Sequence, residues 1–281
     1  MSPHLAARTI VMLACVMCLS SCATQVDDLG QESAAIVNGV PDGNSHPMAG
    51  MLFVDDPFEG FIPLHSAFLV QARAGLAQDV VVTAAHAVRF APPDAVMYVT
   101  FETEIFDFST EPPTLVATDF IRADSFAFDP QCCGNWGIGV GDHDIAVVLL
   151  PQGSATSTIR PATLPRADFL GTLSNNTIFT LVGYGVDGPP TYEWNGLRNK
   201  TTAPHQSLNM SHLFTHSADE STGMGAICEG DSGGPVFVTG QERRAVAIET
   251  GGDHRCQGHS EHYRLDTPNA RAFLAPYAAL P

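Results

Sequence analysis

Gly230-Asp231-Ser232-Gly233-Gly234-Pro235 runs straight into the apolar triplet Val236-Phe237-Val238, so a strand begins at a turn built around a serine. Glycine on both sides of Ser232 removes side-chain crowding, lets backbone amides face a ligand and leaves the hydroxyl open. A plain glycine turn needs no Asp-Ser at its centre, so this stretch carries chemistry as well as a bend. Working outward, similar short runs rich in Val, Ile, Phe and Thr recur at residues 51–54, 66–70, 80–84, 96–101, 145–150, 177–182 and 245–249, separated by Gly, Pro, Asn and Asp. Short strands with frequent turn signals predict an all-β sandwich or barrel. The chain end is the exception. Asp266 or Thr267 can cap a helix there, Pro268 suits its first turn, and Ala270, Phe273, Leu274 and Tyr277 form an apolar stripe. A break in the strand pattern near residues 153–160 divides the chain into two halves.

With 44% hydrophobic and 15% charged residues, the 281-residue chain has ample material for a core and does not read as disordered. Thirteen Lys and Arg against thirty Asp and Glu give a net charge of −17. Duplex nucleic acid is bound by clustered cations that displace counterions from phosphate, and no such cluster occurs along the sequence, so nucleic-acid binding is excluded as a reading.

Residues 1–21 read as an export signal. Arg8 precedes an apolar run from Ile10 to Leu19 that is too short to cross a bilayer, which takes roughly 20 apolar residues. Leu19-Ser20-Ser21-Cys22 resembles the bacterial lipoprotein box, in which Cys22 becomes an acylated N-terminus that holds the protein on a membrane; an ordinary secretory cut near Ala23 is the alternative. Residues 22–35 are small and polar and read as a tether or propeptide, with folding starting near Ile36. Export leaves Cys132, Cys133, Cys228 and Cys256 in an oxidising compartment, where four cysteines allow three connectivities.

Two further segments matter. Thr83-Ala84-Ala85-His86 closes the run Val80-Val81-Val82, placing a histidine at a strand end where a rigid sheet can aim it. Asp144 opens the run Ile145 to Leu150, a carboxylate at the mouth of a buried strand. Taken singly, His86 reads as a structural histidine and Asp144 as a turn residue or cap.

Together, in the order His, Asp, Ser, these segments resemble the chymotrypsin/trypsin family of serine endopeptidases. The resemblance implies Ser232 as nucleophile, His86 as general base and then acid, and Asp144 as the group that orients and stabilises the imidazole. It implies an oxyanion hole from the amides of Gly230 and Ser232. Asp142 is a rival to Asp144, but the family motif sets the aspartate directly before Ile-Ala and an apolar run. Ile36-Val37-Asn38-Gly39 is similar to the N-terminus created by activation, whose ammonium would pair with Asp231. Leu181-Val182-Gly183-Tyr184-Gly185 resembles the Gly-aromatic-Gly strand of the second barrel. Cys228 and Cys256 resemble the disulfide beside the specificity pocket, a crosslink that contributes roughly 3 to 4 kcal/mol in the loop-closure view.

The fold so implied is all-β: two antiparallel six-stranded barrels, at about 36–155 and 156–265, with a C-terminal helix at about 267–279. The function implied is that of an exported endopeptidase, lipid-anchored through Cys22 or secreted, acting on protein or peptide substrates through an acyl-enzyme, with no metal or cofactor. Several positions depart from the pattern. Ala67 and Ala87 stand where a cysteine pair usually brackets the histidine, and activation after Ala35 implies a processing protease that does not cut after Arg or Lys. In the specificity pocket, Ala226 replaces the aspartate of trypsin-like enzymes, beside Gly251, and Glu261 would enter from the opposite wall. Glu249-Thr250-Gly251 stands for the usual Ser-Trp-Gly, and a buried carboxylate there would repel Asp144. Cys132-Cys133 has no family counterpart; a mutual disulfide and two thiols are both open. Two other readings remain: a catalytically silent domain of this fold that binds a partner protein at the cell surface, and a metal-dependent role through His254, Cys256, His259 and His262.

Overall fold

The computed structural model describes residues 36–56, 60–91, 95–133, 141–188, 190–216, 218–219, 221–253 and 255–281. The export signal, Cys22 and the 22–35 tether therefore lie outside the described residues, as does His254. The first half of the chain forms β1 (Val40–Pro41), β2 (Ala49–Asp56), β3 (Gly60–Val70), β4 (Gln78–Thr83), α1 (Ala85–Val88), β5 (Val96–Thr100), β6 (Phe106–Asp107), β7 (Thr114–Leu115), β8 (Ile121–Arg122), β9 (Ser125–Phe128) and β10 (Ala146–Pro151). The second half forms β11 (Ile178–Gly183), β12 (Asn199–Leu208), β13 (His212–Thr215), β14 (Pro235–Val238), β15 (Ala245–Gly252), β16 (Ser260–Arg264) and α2 (Pro268–Leu274).

These strands make two curled antiparallel sheets and a separate two-stranded ribbon of β6 and β7. In the second half, the order β12-β11-β14-β15-β16-β13 returns on itself because β13 also pairs with β12, closing a six-stranded barrel with β1 added outside β12. The first sheet runs β8-β5-β2-β3-β4-β10-β9 and is not closed by a strand ladder. Its two ends are consecutive in sequence, and the turn between them spans the seam: Ala123 donates to Met97 O and Asp124 to Leu149 O. The expected pair of six-stranded barrels is thus one closed barrel and one sheet curled into a half-barrel. The seam stays open because β8 is only two residues long.

Strand β4 shows why the first sheet is stable. Val80, Val81 and Val82 are all fully buried, as an uninterrupted β-branched run requires of a strand covered on both faces. Each such side chain contributes about 1.5 to 3 kcal/mol relative to exposure. At the chain end Thr267 caps α2, its Oγ1 accepting the Ala270 N–H at 3.2 Å, with Pro268 in the first turn and Ala270 and Leu274 buried. The regular helix ends at Leu274, short of the expected 279. No helix among the described residues is long and apolar enough to cross a membrane.

The two halves are tied by one fully buried cation. Arg198, next to β12, donates through Nη1 to Ala49 O and Phe101 O of the first sheet, through Nη2 to Gly43 O, and pairs through Nε with Asp42 at 3.0 Å. A buried guanidinium is tolerated only when its donors are satisfied in this way, and removing its partner costs about 3 to 5 kcal/mol.

Candidate active site

Strand register sets the first pair. β4 and β10 run antiparallel with Thr83 opposite Ala146, so the residue three beyond Thr83 meets the residue two before Ala146. These are His86, in the one-turn helix α1, and Asp144. The Asp144 carboxylate is fully buried and accepts both the His86 backbone N–H at Oδ1 (2.9 Å) and His86 Nδ1 at Oδ2 (2.7 Å). An ionised carboxylate accepts only, so Nδ1 carries the proton and Nε2 remains an acceptor. Asp142 is exposed, which leaves Asp144 as the partner. His65, which no sequence signal singled out, lies edge-on to His86 with ring centroids 5.7 Å apart. Burial, and then the charge on His86, lowers the His65 imidazole to about 4, so it is neutral at physiological pH.

The Ser232 turn is clasped to the first sheet. Gly230 O accepts both Ser66 N (3.1 Å) and Ser66 Oγ (2.9 Å). Gly233 has φ +90°, and a Cβ there would collide with Ser66 O and Thr83 Oγ1, so this glycine is required twice over. The amides alternate in use. Those of Asp231, Gly233 and Gly234 are bonded to Cys228 O, Glu249 O and Asp231 O, whereas those of Gly230 and Ser232 donate to no described group. Two free N–H groups therefore flank the half-buried Ser232 hydroxyl. No hydrogen bond joins Ser232 to His86 among the described residues.

Under this turn lie two fully buried acids. Asp231 accepts Gly185 N at 2.8 Å and Cys228 N at 2.9 Å, and burial pushes its carboxyl up to about 7. A side chain at Gly183 or Gly185 would strike this carboxylate, which explains the Gly-Tyr-Gly segment. Glu249 accepts Val182 N at 3.1 Å through Oε1 while its Oε2 has no hydrogen-bond partner among the described residues; burial and then Asp231 raise it well above the ordinary range. The expected conflict between Glu249 and Asp144 is thus corrected: Glu249 turns inside the second barrel toward β11, and its acidic neighbour is Asp231. Ile36 is also fully buried, but its N donates to Val186 O at 3.2 Å, and no hydrogen bond joins it to Asp231 in the uncut chain.

Beside Ser232 is a cavity of about 140 Å³ lined by Ile227, Cys228, Ser232, Gly251, Asp253 and Cys256, among others. The Cys228–Cys256 disulfide forms part of its wall. Gly251 lines it as expected, but Ala226 and Glu261 do not. Ala226 is buried and bridged to Val37 by two backbone hydrogen bonds. The Glu261 carboxylate lies 3.5 Å from His212 Nδ1, and burial and then Asp144 raise it to about 7. Asp253 accepts amides of its own loop, from Arg255 and Gly258. The metal reading finds little support here, since Cys256 is in a disulfide and His262 bonds Thr215 Oγ1 at 3.0 Å. Cys132 and Cys133 form a mutual disulfide, resolving the alternative left open above.

A double-sheet protein with a His–Asp pair and a serine flanked by free amides defines a class, the two-barrel hydrolases. The trypsin family model matches residues 70–271, and the chain belongs to that family of serine-type endopeptidases. Among solved structures, neuropsin, a serine protease expressed in the limbic system of mouse brain, superposes with a TM-score of 0.57 at 17% identity, covering 82% of this chain and 95% of that one. At that identity the likeness speaks for the fold. A search of curated protein sequences finds no significant match.

Proposed function

We propose that the protein is an exported peptidase whose active form begins at Ile36 and works through His86, Asp144 and Ser232. The observation that carries this reading is the His86–Asp144 contact at 2.7 Å together with the unengaged amides of Gly230 and Ser232. In the reaction His86 Nε2 takes the Ser232 Oγ proton as Oγ bonds the scissile carbonyl carbon. The two amides hold the resulting oxyanion, and Asp144 stabilises the imidazolium. The proton then passes to the leaving amine as the C–N bond breaks, and water, activated by the same histidine, hydrolyses the acyl-enzyme. Cleavage after Ala35 by a separate protease would turn the Ile36 amide into an ammonium that can serve as the counter-charge of Asp231. Two disulfides fit an oxidising compartment; an acylated Cys22 would anchor the chain until it is cut after Ala35, whereas an ordinary secretory cut near Ala23 gives a secreted chain.

The test is intact mass after treating protein cut after Ala35 with a fluorophosphonate, which labels a serine when base and oxyanion hole are assembled. The expected result is one label on Ser232, lost in His86→Ala. Folded, correctly cut protein that takes no label would instead support the silent binding domain.

A further inference from the structure

Asp144 has a second set of neighbours that the reaction above does not use. Cys132 Sγ lies 3.7 Å and Cys133 Sγ 3.9 Å from Oδ1, the oxygen that also accepts the His86 N–H. Adjacent side chains in an extended strand point to opposite sides. Here Cys133 has φ +66°, and the left-handed turn brings both sulfurs to one carboxylate. Cys133 is 9% exposed and Cys132 more so, so a small reductant reaches the pair from the Cys132 side. The three donor atoms lie within 4.8 Å of one another.

We propose that Cys132 and Cys133, once reduced, form with Asp144 a binding site for a thiophilic divalent cation of the zinc class, and that filling this site silences the His86–Asp144 pair. The second clause rests on the role of Asp144 proposed above. Ligand geometry supports the site. A tetrahedral ion with bonds of about 2.3 Å to sulfur and about 2.1 Å to oxygen holds S and O roughly 3.5 Å apart, near the separations already present. Only the two sulfurs must move, parting from bonded contact to about 3.8 Å, which rotation of two short side chains supplies. The chemistry balances with a small dithiol as reductant: it takes up the disulfide as its own cyclic disulfide and leaves two protein thiols. The cation then replaces two thiol protons, which are released to solvent. With the disulfide intact no thiolate exists, so the site is present in the reduced protein alone. A cation on Oδ1 places positive charge beside the imidazole and opposes the imidazolium that catalysis needs.

The probe is Cd²⁺, added to protein cut after Ala35, with and without prior reduction. Thiolate-to-cadmium absorption reports binding, and the rate of fluorophosphonate labelling of Ser232 reports the pair. Reduced protein is expected to bind one Cd²⁺ with the intensity of two thiolates and to label about tenfold more slowly or worse, a chelator restoring the rate. Asp144→Asn should weaken the binding. Oxidised protein, and reduced Cys132→Ser/Cys133→Ser compared with its own metal-free rate, should show neither the band nor the slowing. Equal slowing in the double variant overturns the proposal, because the remaining cysteines would then account for it. A band without slowing overturns the silencing. If oxidised, metal-free protein never labels, the catalytic reading has failed, and the presence or absence of the band still supports or overturns the metal site.

Discussion

On one side of the site, His86 and Asp144 hang from β4 and β10, and the pairing of Thr83 with Ala146 decides their contact. On the other, Ser232 sits in a loop of glycines above two buried carboxyls that pair with no cation among the described residues. The first arrangement follows from hydrophobic burial and needs nothing further. The second depends on charge, since neither Asp231 nor Glu249 can ionise cheaply where it lies. The difference separates what folding alone assembles from what, on the activation proposed above, awaits a free ammonium at Ile36.

The largest effect should come from the loop side. Ser232→Ala is expected to lower kcat roughly a millionfold, about 8 kcal/mol of transition-state stabilisation, measured as peptide hydrolysis by the cut protein. Near-unchanged turnover would end the assignment. Asp144→Asn breaks the sheet side and should cost about ten-thousandfold, because the amide cannot hold Nδ1–H as the carboxylate does.

The smallest effect sharpens the electrostatic half of the comparison. Both buried acids have folded-state pKa values above their unfolded ones, so their contribution is full below pH about 4 and is lost as pH rises through the folded values, about 7 for Asp231. Half-buried His65 and buried His262, lowered to about 4 and about 3, act in the opposite direction as pH falls below about 6.5, and add no slope above it. The uncut chain should therefore lose denaturant stability between about pH 6.5 and 8. Glu249→Gln should be more stable than the parent by about 1 to 2 kcal/mol at pH 8 and nearly equal to it at pH 4.5. Equal differences at both pH values would show that Glu249 is not protonated in the fold.

The strands that the sequence reveals are those whose buried residues are apolar, such as Val80 to Val82 and Ile145 to Leu150. β12 escaped notice because its inward positions are Asn199, Thr201 and Ala203, which alternate in burial without alternating in hydrophobicity. β13 and β16 hide similarly behind His212, Thr215, Ser260 and His262. At the site, His86 and Asp144 are legible because they close and open strong strand signals. His65 carries no such signal; its closeness to His86 arises from β3 lying beside β4. The directions of Glu249 and Glu261 were illegible for a different reason. The β15–β16 ladder shifts register between Glu249 and Gly251, and such an irregularity changes which face a side chain takes.

Arg198 bears on how the molecule can be dissected. Its guanidinium belongs by chain position to the second barrel, while Ala49 and Phe101, whose carbonyls it satisfies, belong to the first sheet. A fragment ending between residues 151 and 178 would leave those carbonyls bare on one piece and an unpaired cation on the other. The halves are therefore poor candidates for separate expression or for a swap with barrels of other proteins. Only a partner carrying both Asp42 and the matching carbonyls would accept the second half.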